Sequence, residues 1–251
     1  LPELDVPIQE VEWQVWNIVT TPDKPLEVLY GSDLDTLVYG SGFPKPISKA
    51  EAAAAAAAAA KAAAALTSPS KPSGKAGSGK AGRAAEKETK AEVRVAKRYA
   101  TEGWNLGNLC RLDRCVLAQC GDDVSGMVVP WLYVGMLFAS FCWHVEDHYA
   151  HSVNYMHWGA PKTWYGVRGD QADQFEEVMR QAVPDLVESE AGLLYKMVTM
   201  VPPTEAIKEG VQVCHLIQKP GTFVITFPRA YHAGFSHGLN CAESSNFATP
   251  D

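Results

Sequence analysis

The chain reads as a mainly β protein, an antiparallel barrel or sandwich with helices placed late in it. Three observations predict this. Short apolar or alternating runs recur along most of its 251 residues and are punctuated by Gly and Pro, the pattern of strands joined by turns. A hydrophobic content of 47% over that length can fill one large core, since all-β domains of this size are often undivided. One segment, Asp170 to Val183, carries a clear helical stripe, with Phe175, Val178, Met179 and Ala182 on one side.

Taken in order, strand-like runs fall at Val11 to Val19 and Leu26 to Tyr30, and Gly-Ser-Gly-Phe-Pro then supplies turn chemistry. Composition changes at Ser48. From there to about residue 95, an alanine tract and a Ser/Pro/Gly/Lys stretch offer too few apolar side chains to join a core. This predicts a low-complexity basic insertion or linker at 48–95, between an N-terminal segment at 1–47 and a main domain at 96–251. Folded sequence resumes at "GWNLGNLCRLDRCVLAQC". Strand runs follow at Met127 to Val134, Leu137 to Val145, Ser152 to Trp158, Thr163 to Val167, Gly221 to Phe227 and Ala242 to Ala248. The stretch "AGLLYKMVTM" offers a second helix, and no internal repeat is visible.

Net charge is −7, unevenly spread: residues 49–98 hold 11 Lys+Arg against 4 Asp+Glu, leaving 11 against 25 elsewhere. An acidic globular part repels phosphates and attracts a cationic partner such as a Lys/Arg-rich peptide, though charge of this kind also serves solubility alone. Neither sequence-specific nucleic-acid binding nor a membrane span is expected. The uncharged run Ala52 to Ala60 is too short to cross a bilayer, and "LPELDVPIQEVEW" lacks the basic and apolar parts of a signal peptide. The six cysteines form no CxxC pair and read as reduced thiols, so a soluble, intracellular, monomeric protein is expected.

The chemistry concentrates in "SFCWHVEDHYAHSVNYMHWG". His144 and Glu146 stand two apart in a run that reads as strand, and period two sends both to one face. An HxE pair alone is more often a surface ion pair. With a second histidine it becomes a facial triad that holds Fe(II) and leaves adjacent positions open. The distant candidates are His215, His232 and His237; His232, after the apolar run "GTFVITFPRAYH", sits at a strand end where a barrel mouth would lie, and is the third ligand. His148, His151, His157 and His237 read as satisfied polar or packing residues, and Trp143, Tyr155, Trp158 and Tyr165 as barrel core.

A second constellation lies next to it. Ser152 and Asn154 share one strand face, and Lys162 and Trp164 share a face of the next. A lysine in an apolar run needs a counterion, either a protein carboxylate or the far carboxylate of a small dicarboxylate held on the metal by its other end. Together the two halves describe a site for 2-oxoglutarate.

"PWLYVGMLFASFCWHVEDHYAHSVNYMHWGAPKTWYGV" and "GTFVITFPRAYHAGFSHGLNCAESSNFAT" closely resemble the JmjC domain of Jumonji histone lysine demethylases, and "LEVLYGSDLD" with "YGSGFPK" is similar to the segment preceding it in the JARID subgroup. The resemblance implies a double-stranded β-helix, the cupin-like jelly roll, with inserted and flanking α-helices. It implies Fe(II) on His144, Glu146 and His232, and 2-oxoglutarate among Tyr30, Phe141, Ser152, Asn154, Lys162 and Trp164. O2 is the further cosubstrate, and Tyr133, with Ser236 and Ser244, would meet the substrate. The implied reaction is oxidative demethylation of tri- or dimethylated lysine 4 on the histone H3 tail in nuclear chromatin, with formaldehyde, succinate and CO2 released. Ser236 and Ser244 stand where the JARID subgroup usually has Asn and Ala. Their surroundings are closer to the subgroup acting on lysines 9 and 36, whose zinc-ligand Cys and His residues are not seen here. A JmjC protein hydroxylase and a non-catalytic chromatin-binding module are the other readings. JmjN, ARID, PHD and zinc-finger modules of similar proteins are not visible, which implies a catalytic segment.

Overall fold

The computed structural model describes residues 6–21, 26–45, 94–121, 123–183 and 200–250. The bulk of the predicted insertion and the helix expected in "AGLLYKMVTM" lie outside the described residues.

The first element corrects the sequence expectation. Val11 to Val19 is not a strand but part of helix α1, Ile8–Thr20. Val11 and Val15, one turn apart, are both buried, and Trp16 and Val19 pack beside them. The content of valine and tryptophan favours a strand, whereas packing Val11, Val15, Trp16 and Val19 against one core needs the helical period, and tertiary burial of that stripe decides. The second run is also displaced: strand β1 is Tyr30–Asp35, and it leads into a single helical turn, α2, Thr36–Tyr39. Asp35 caps that turn by accepting the Leu37 backbone N–H at 2.7 Å.

Eight further strands follow: β2 Trp131–Gly135, β3 Ser140–His144, β4 His151–Gly159, β5 Lys162–Val167, β6 Val213–Gln218, β7 Phe223–Thr226, β8 Tyr231–Ser236 and β9 Asn240–Phe247. They form a five-stranded sheet, β1-β2-β9-β4-β7, and a four-stranded sheet, β3-β8-β5-β6, antiparallel throughout. Pairing runs inward from both ends of the chain, β2 with β9, β3 with β8, β4 with β7 and β5 with β6. This is a long hairpin rolled up, the jelly roll. Strands β6 and β8 were not anticipated as separate elements.

The four-stranded sheet is covered outside by helices. Trp143, Tyr165, Val167, Tyr231, Ala233 and Phe235 point outward and pack with Val11 and Val15 of α1 and with Phe175, Val178 and Met179 of α3, Ala172–Ala182. Helix α4, Pro203–Lys208, adds Ala206. Trp143 and Tyr165 therefore belong to this outer core and not to the barrel interior, and Trp158 is half exposed beside a bulge in β4. Polar contacts dock α1: Trp16 Nε1 donates to the Tyr165 hydroxyl at 3.1 Å, and Glu12 Oε1 accepts from that hydroxyl at 2.8 Å. His215 reaches the same carboxylate at 2.7 Å.

On the outside of the other sheet, Glu243 is fully buried, accepting from Ser41 Oγ at 2.8 Å and the Gly42 N–H at 2.9 Å, with His157 Nε2 at 2.8 Å. A Cβ on Gly42 would lie 2.4 Å from the His157 ring, so only glycine fits this turn. Among the described residues, 43–45 and 94–108 group as a unit of their own. Within it, Asn105 Nδ2 donates to the carbonyls of Pro44 and Tyr99 at 3.0 and 3.1 Å. Among the described residues no helix is long and apolar enough to cross a membrane.

Candidate metal and cosubstrate site

The roll brings distant residues together on the inner face of the four-stranded sheet. Pairing of β3 with β8 places His144 directly opposite His232. His232 is thus the second residue of its own strand, following a turn at Phe227–Ala230, and not the end of the preceding strand. Glu146 lies just past β3 in extended conformation, φ −71° and ψ 151°, so the two-residue spacing still turns it to the same side. One ligand atom from each of His144, Glu146 and His232 lies within 4.8 Å of the others.

The backbone orients both imidazoles. His144 Nδ1 donates to the Cys142 carbonyl at 2.8 Å, and His232 Nδ1 to the Ala230 carbonyl at 3.0 Å. A carbonyl can only accept, so each Nδ1 is held as a donor and each Nε2 is the atom turned inward, the orientation of a metal-ligating histidine. Burial and the neighbouring His232 push the His144 pKa down to about 4, so its lone pair is free at neutral pH. Burial opposes ionisation of Glu146, but the hydrogen bond and charge of His232 and the hydrogen bond from Asn246 prevail, holding its pKa at about 2. Glu146 Oε1 lies 3.3 Å from His232 Nε2, and Oε2 accepts from Asn246 Nδ2 at 2.9 Å. Two imidazoles turned inward by Nε2 and one carboxylate are the donor set of a divalent iron site, so these residues fit the ion.

Next to the triad, Phe141, Trp164 and His232 pack together, with Phe141 and Trp164 ring centroids 4.7 Å apart and Trp164 stacked on His232 at 5.9 Å. Gly234 makes room for them. A Cβ there would lie 2.1 Å from the Thr163 carbonyl oxygen and 2.5 Å from the Phe141 ring.

Beyond these rings sits Lys162, 2% exposed. Its Nζ donates to Ser236 Oγ at 3.2 Å and lies 5.7 and 5.6 Å from the Tyr30 and Phe141 ring centroids. No carboxylate pairs with it among the described residues. Burial lowers its pKa to about 8. A buried cation without an anion is costly, and an anionic ligand offsets that cost.

Asn154 and Ser152 lie on β4, paired with Val224 and Thr226 of β7, and the Ser152 and Thr226 hydroxyls are hydrogen-bonded. Tyr133 and Tyr30 have ring centroids 6.2 Å apart. Burial raises the pKa of both phenols, with Asp33 adding to it. Ser244 is opposite Trp131 and Asn154 and donates to the Val153 carbonyl at 3.0 Å.

Three side chains here escaped the sequence reading. Asn246, two past Ser244 on the same strand face, holds Glu146. Gln218 holds Asn154, with Nε2 to Asn154 Oδ1 at 3.1 Å. Asp33 sits at φ +57° in a bulge of β1 opposite Tyr133. Period two from Ser244 would have found Asn246; Gln218 and Asp33 had no local signal.

Residues 131–247 match the family model described as JmjC domain, hydroxylase, the same span as β2 to β9. These residues form a JmjC domain. Among similar proteins, the lysine-specific demethylase JMJ703 of Oryza sativa subsp. japonica is 45% identical over 97% of this chain and 16% of its own length. Lysine-specific demethylase JMJ17 of Arabidopsis thaliana is 41% identical over 96% of this chain and 17% of its own length. Lysine-specific demethylase 5D of Homo sapiens is 41% identical over all of this chain and 14% of its own length. The resemblance to JARID demethylases is borne out, and the chain spans about a sixth of the length of these relatives. The JmjC domain here includes every residue of the triad and the lysine pocket except Tyr30, which β1 brings to the edge of β2.

Proposed function

We propose that this JmjC domain is the catalytic part of an Fe(II)- and 2-oxoglutarate-dependent lysine demethylase that acts in the nucleus on the histone H3 tail, with tri- or dimethylated lysine 4 as substrate. The observation that supports it is the convergence of His144, Glu146 and His232 beside Lys162, a buried ammonium without a protein carboxylate among the described residues.

His144, Glu146 and His232 would hold the iron, with Asn246 fixing the carboxylate and two backbone carbonyls fixing the imidazoles. Lys162 would pair with the far carboxylate of 2-oxoglutarate, flanked by Asn154, Ser152 and the rings of Phe141, Trp164 and Tyr30. When bound, ferrous ion with 2-oxoglutarate and O2 supplies the oxidant that hydroxylates an N-methyl group, which then leaves as formaldehyde. Tyr133 presents an aromatic face and a hydroxyl to a methylated ammonium, and the negative charges of Glu146 and Asp33 beside it favour a cation. Lysine 4 follows from the likeness to JARID proteins; Ser236 and Ser244 favour lysine 9 or 36.

The test is incubation with Fe(II), 2-oxoglutarate, ascorbate and H3 peptides methylated at lysine 4, 9 or 36, read by mass spectrometry. Loss of a methylene mass from the lysine 4 peptide supports the proposal, and loss only from another peptide moves the substrate. Gain of one oxygen mass identifies a hydroxylase, and no change with any peptide overturns the catalytic reading.

A further inference from the structure

An amide side chain can face a ligand with either its oxygen or its nitrogen, and sterics hardly distinguish the two. In the lysine pocket the choice is made by an indole. Trp164 Nε1 can only donate, and it donates to Gln218 Oε1 at 2.9 Å. That fixes the Gln218 amide. Its Nε2 must then donate, and it does so to Asn154 Oδ1 and to the Asn154 backbone carbonyl, both at 3.1 Å, and to the Thr222 carbonyl at 3.3 Å. With Oδ1 turned toward Gln218, the other arm of the planar amide, Nδ2, faces away from it. This nitrogen has no protein partner among the described residues, yet it is not sealed off: the buried side-chain polar atoms left without a partner there are Arg229 Nε and His237 Nδ1.

Resting on the 2-oxoglutarate reading above, we propose that Gln218 is a positioning residue which, anchored by the Trp164 indole, sets Asn154 to present an N–H donor, so that the pocket around Lys162 accepts an anion and rejects a neutral amide. Gln218 is 1% exposed and directly paired with Lys162 across β5 and β6. Its position therefore couples three residues of the pocket without touching the ligand.

The relay works only in one direction. Replacing Trp164 by Phe keeps a ring against His232 but removes the donor that orients Gln218, so both amides become free to flip. Replacing Gln218 by Glu keeps the shape but leaves acceptors on both arms. Asn154 must then turn its Nδ2 toward the introduced carboxylate and its oxygen toward the ligand, where it repels a carboxylate.

The experiment is calorimetric titration of the Mn(II)-loaded protein with 2-oxoglutarate and with 2-oxoglutaramate, whose far end is an uncharged carboxamide. Wild type is expected to prefer the dicarboxylate. Gln218→Glu and Trp164→Phe should each weaken 2-oxoglutarate binding by about tenfold, the scale of one hydrogen bond to a charged group, while binding of the amide weakens less and the preference narrows. In Gln218→Glu, Mn(II) affinity measured without cosubstrate should be unchanged, which a general loss of structure would not allow. An unaltered preference in both variants overturns the relay. Absence of any metal-dependent 2-oxoglutarate binding by wild type overturns the cosubstrate reading itself, and the relay with it.

Discussion

Strand β8 has two faces that are equally buried and do opposite work. Tyr231, Ala233 and Phe235 point outward into a core of helix and sheet residues, whereas His232, Gly234 and Ser236 point inward to the triad and the lysine. Burial by itself does not separate them. What separates them is how polar demand is met. The outer face is apolar and complete, while the inner face gathers a histidine pair, a carboxylate and an ammonium whose mutual satisfaction is unfinished in the protein alone. A fold stabilises itself with the first kind of face and reserves the second for ligands.

Breaking the inner face should remove function and spare the fold. In His232→Ala, demethylation and metal binding are expected to fall below detection while the melting temperature stays near wild type, as turnover assays and thermal melts with and without Mn(II) will show. Breaking the outer face should do the reverse. Phe235→Ala opens a cavity behind Trp16 and Tyr165 and is expected to cost about 3–5 kcal/mol in denaturant unfolding. A loss below about 1 kcal/mol would show that this core repacks freely.

Lys162 sharpens the contrast, because it is buried at a cost. Its pKa is about 8 in the fold against 10.5 in the unfolded chain. Between those values the unfolded state binds the extra proton, so stability rises with pH there, and the penalty is fully present below about 8. Lys162→Met is therefore expected to be at least as stable as wild type at pH 7 in chemical denaturation, yet to bind 2-oxoglutarate at least about a hundredfold more weakly in titration. In wild type, cosubstrate affinity should decline as pH rises past about 8, when the free protein loses the ammonium. A flat profile would remove Lys162 from anion binding. The smallest effect belongs to the Glu243 contact. Glu243→Gln weakens the hold on Ser41, Gly42 and His157, and is expected to cost about 1–3 kcal/mol and to speed hydrogen exchange at the Gly42 amide.

Much of this was legible in the sequence. Period two in "SVNY" and "KTWY" put Ser152, Asn154, Lys162 and Trp164 on shared faces, because strand geometry is local. The helix at Ala172–Ala182 was legible for the same reason. The N-terminal run misled because Val, Trp and Ile favour strands, and only its packing against the sheet shows which periodicity counts. Ser236 shows a different limit. Its pairing with Lys162 depends on β5 lying beside β8, and no window of sequence contains both.

The sequence by itself determined which residue types were available and how neighbours two apart would face, and so it determined each half of the site. Only the tertiary structure decided how the halves meet. Rolling the hairpin so that β3 pairs with β8 set His144 against His232, and folding β6 beneath β4 put Gln218 on Asn154. Both are long-range pairings whose register depends on the whole barrel closing, and that information is not carried by any single strand.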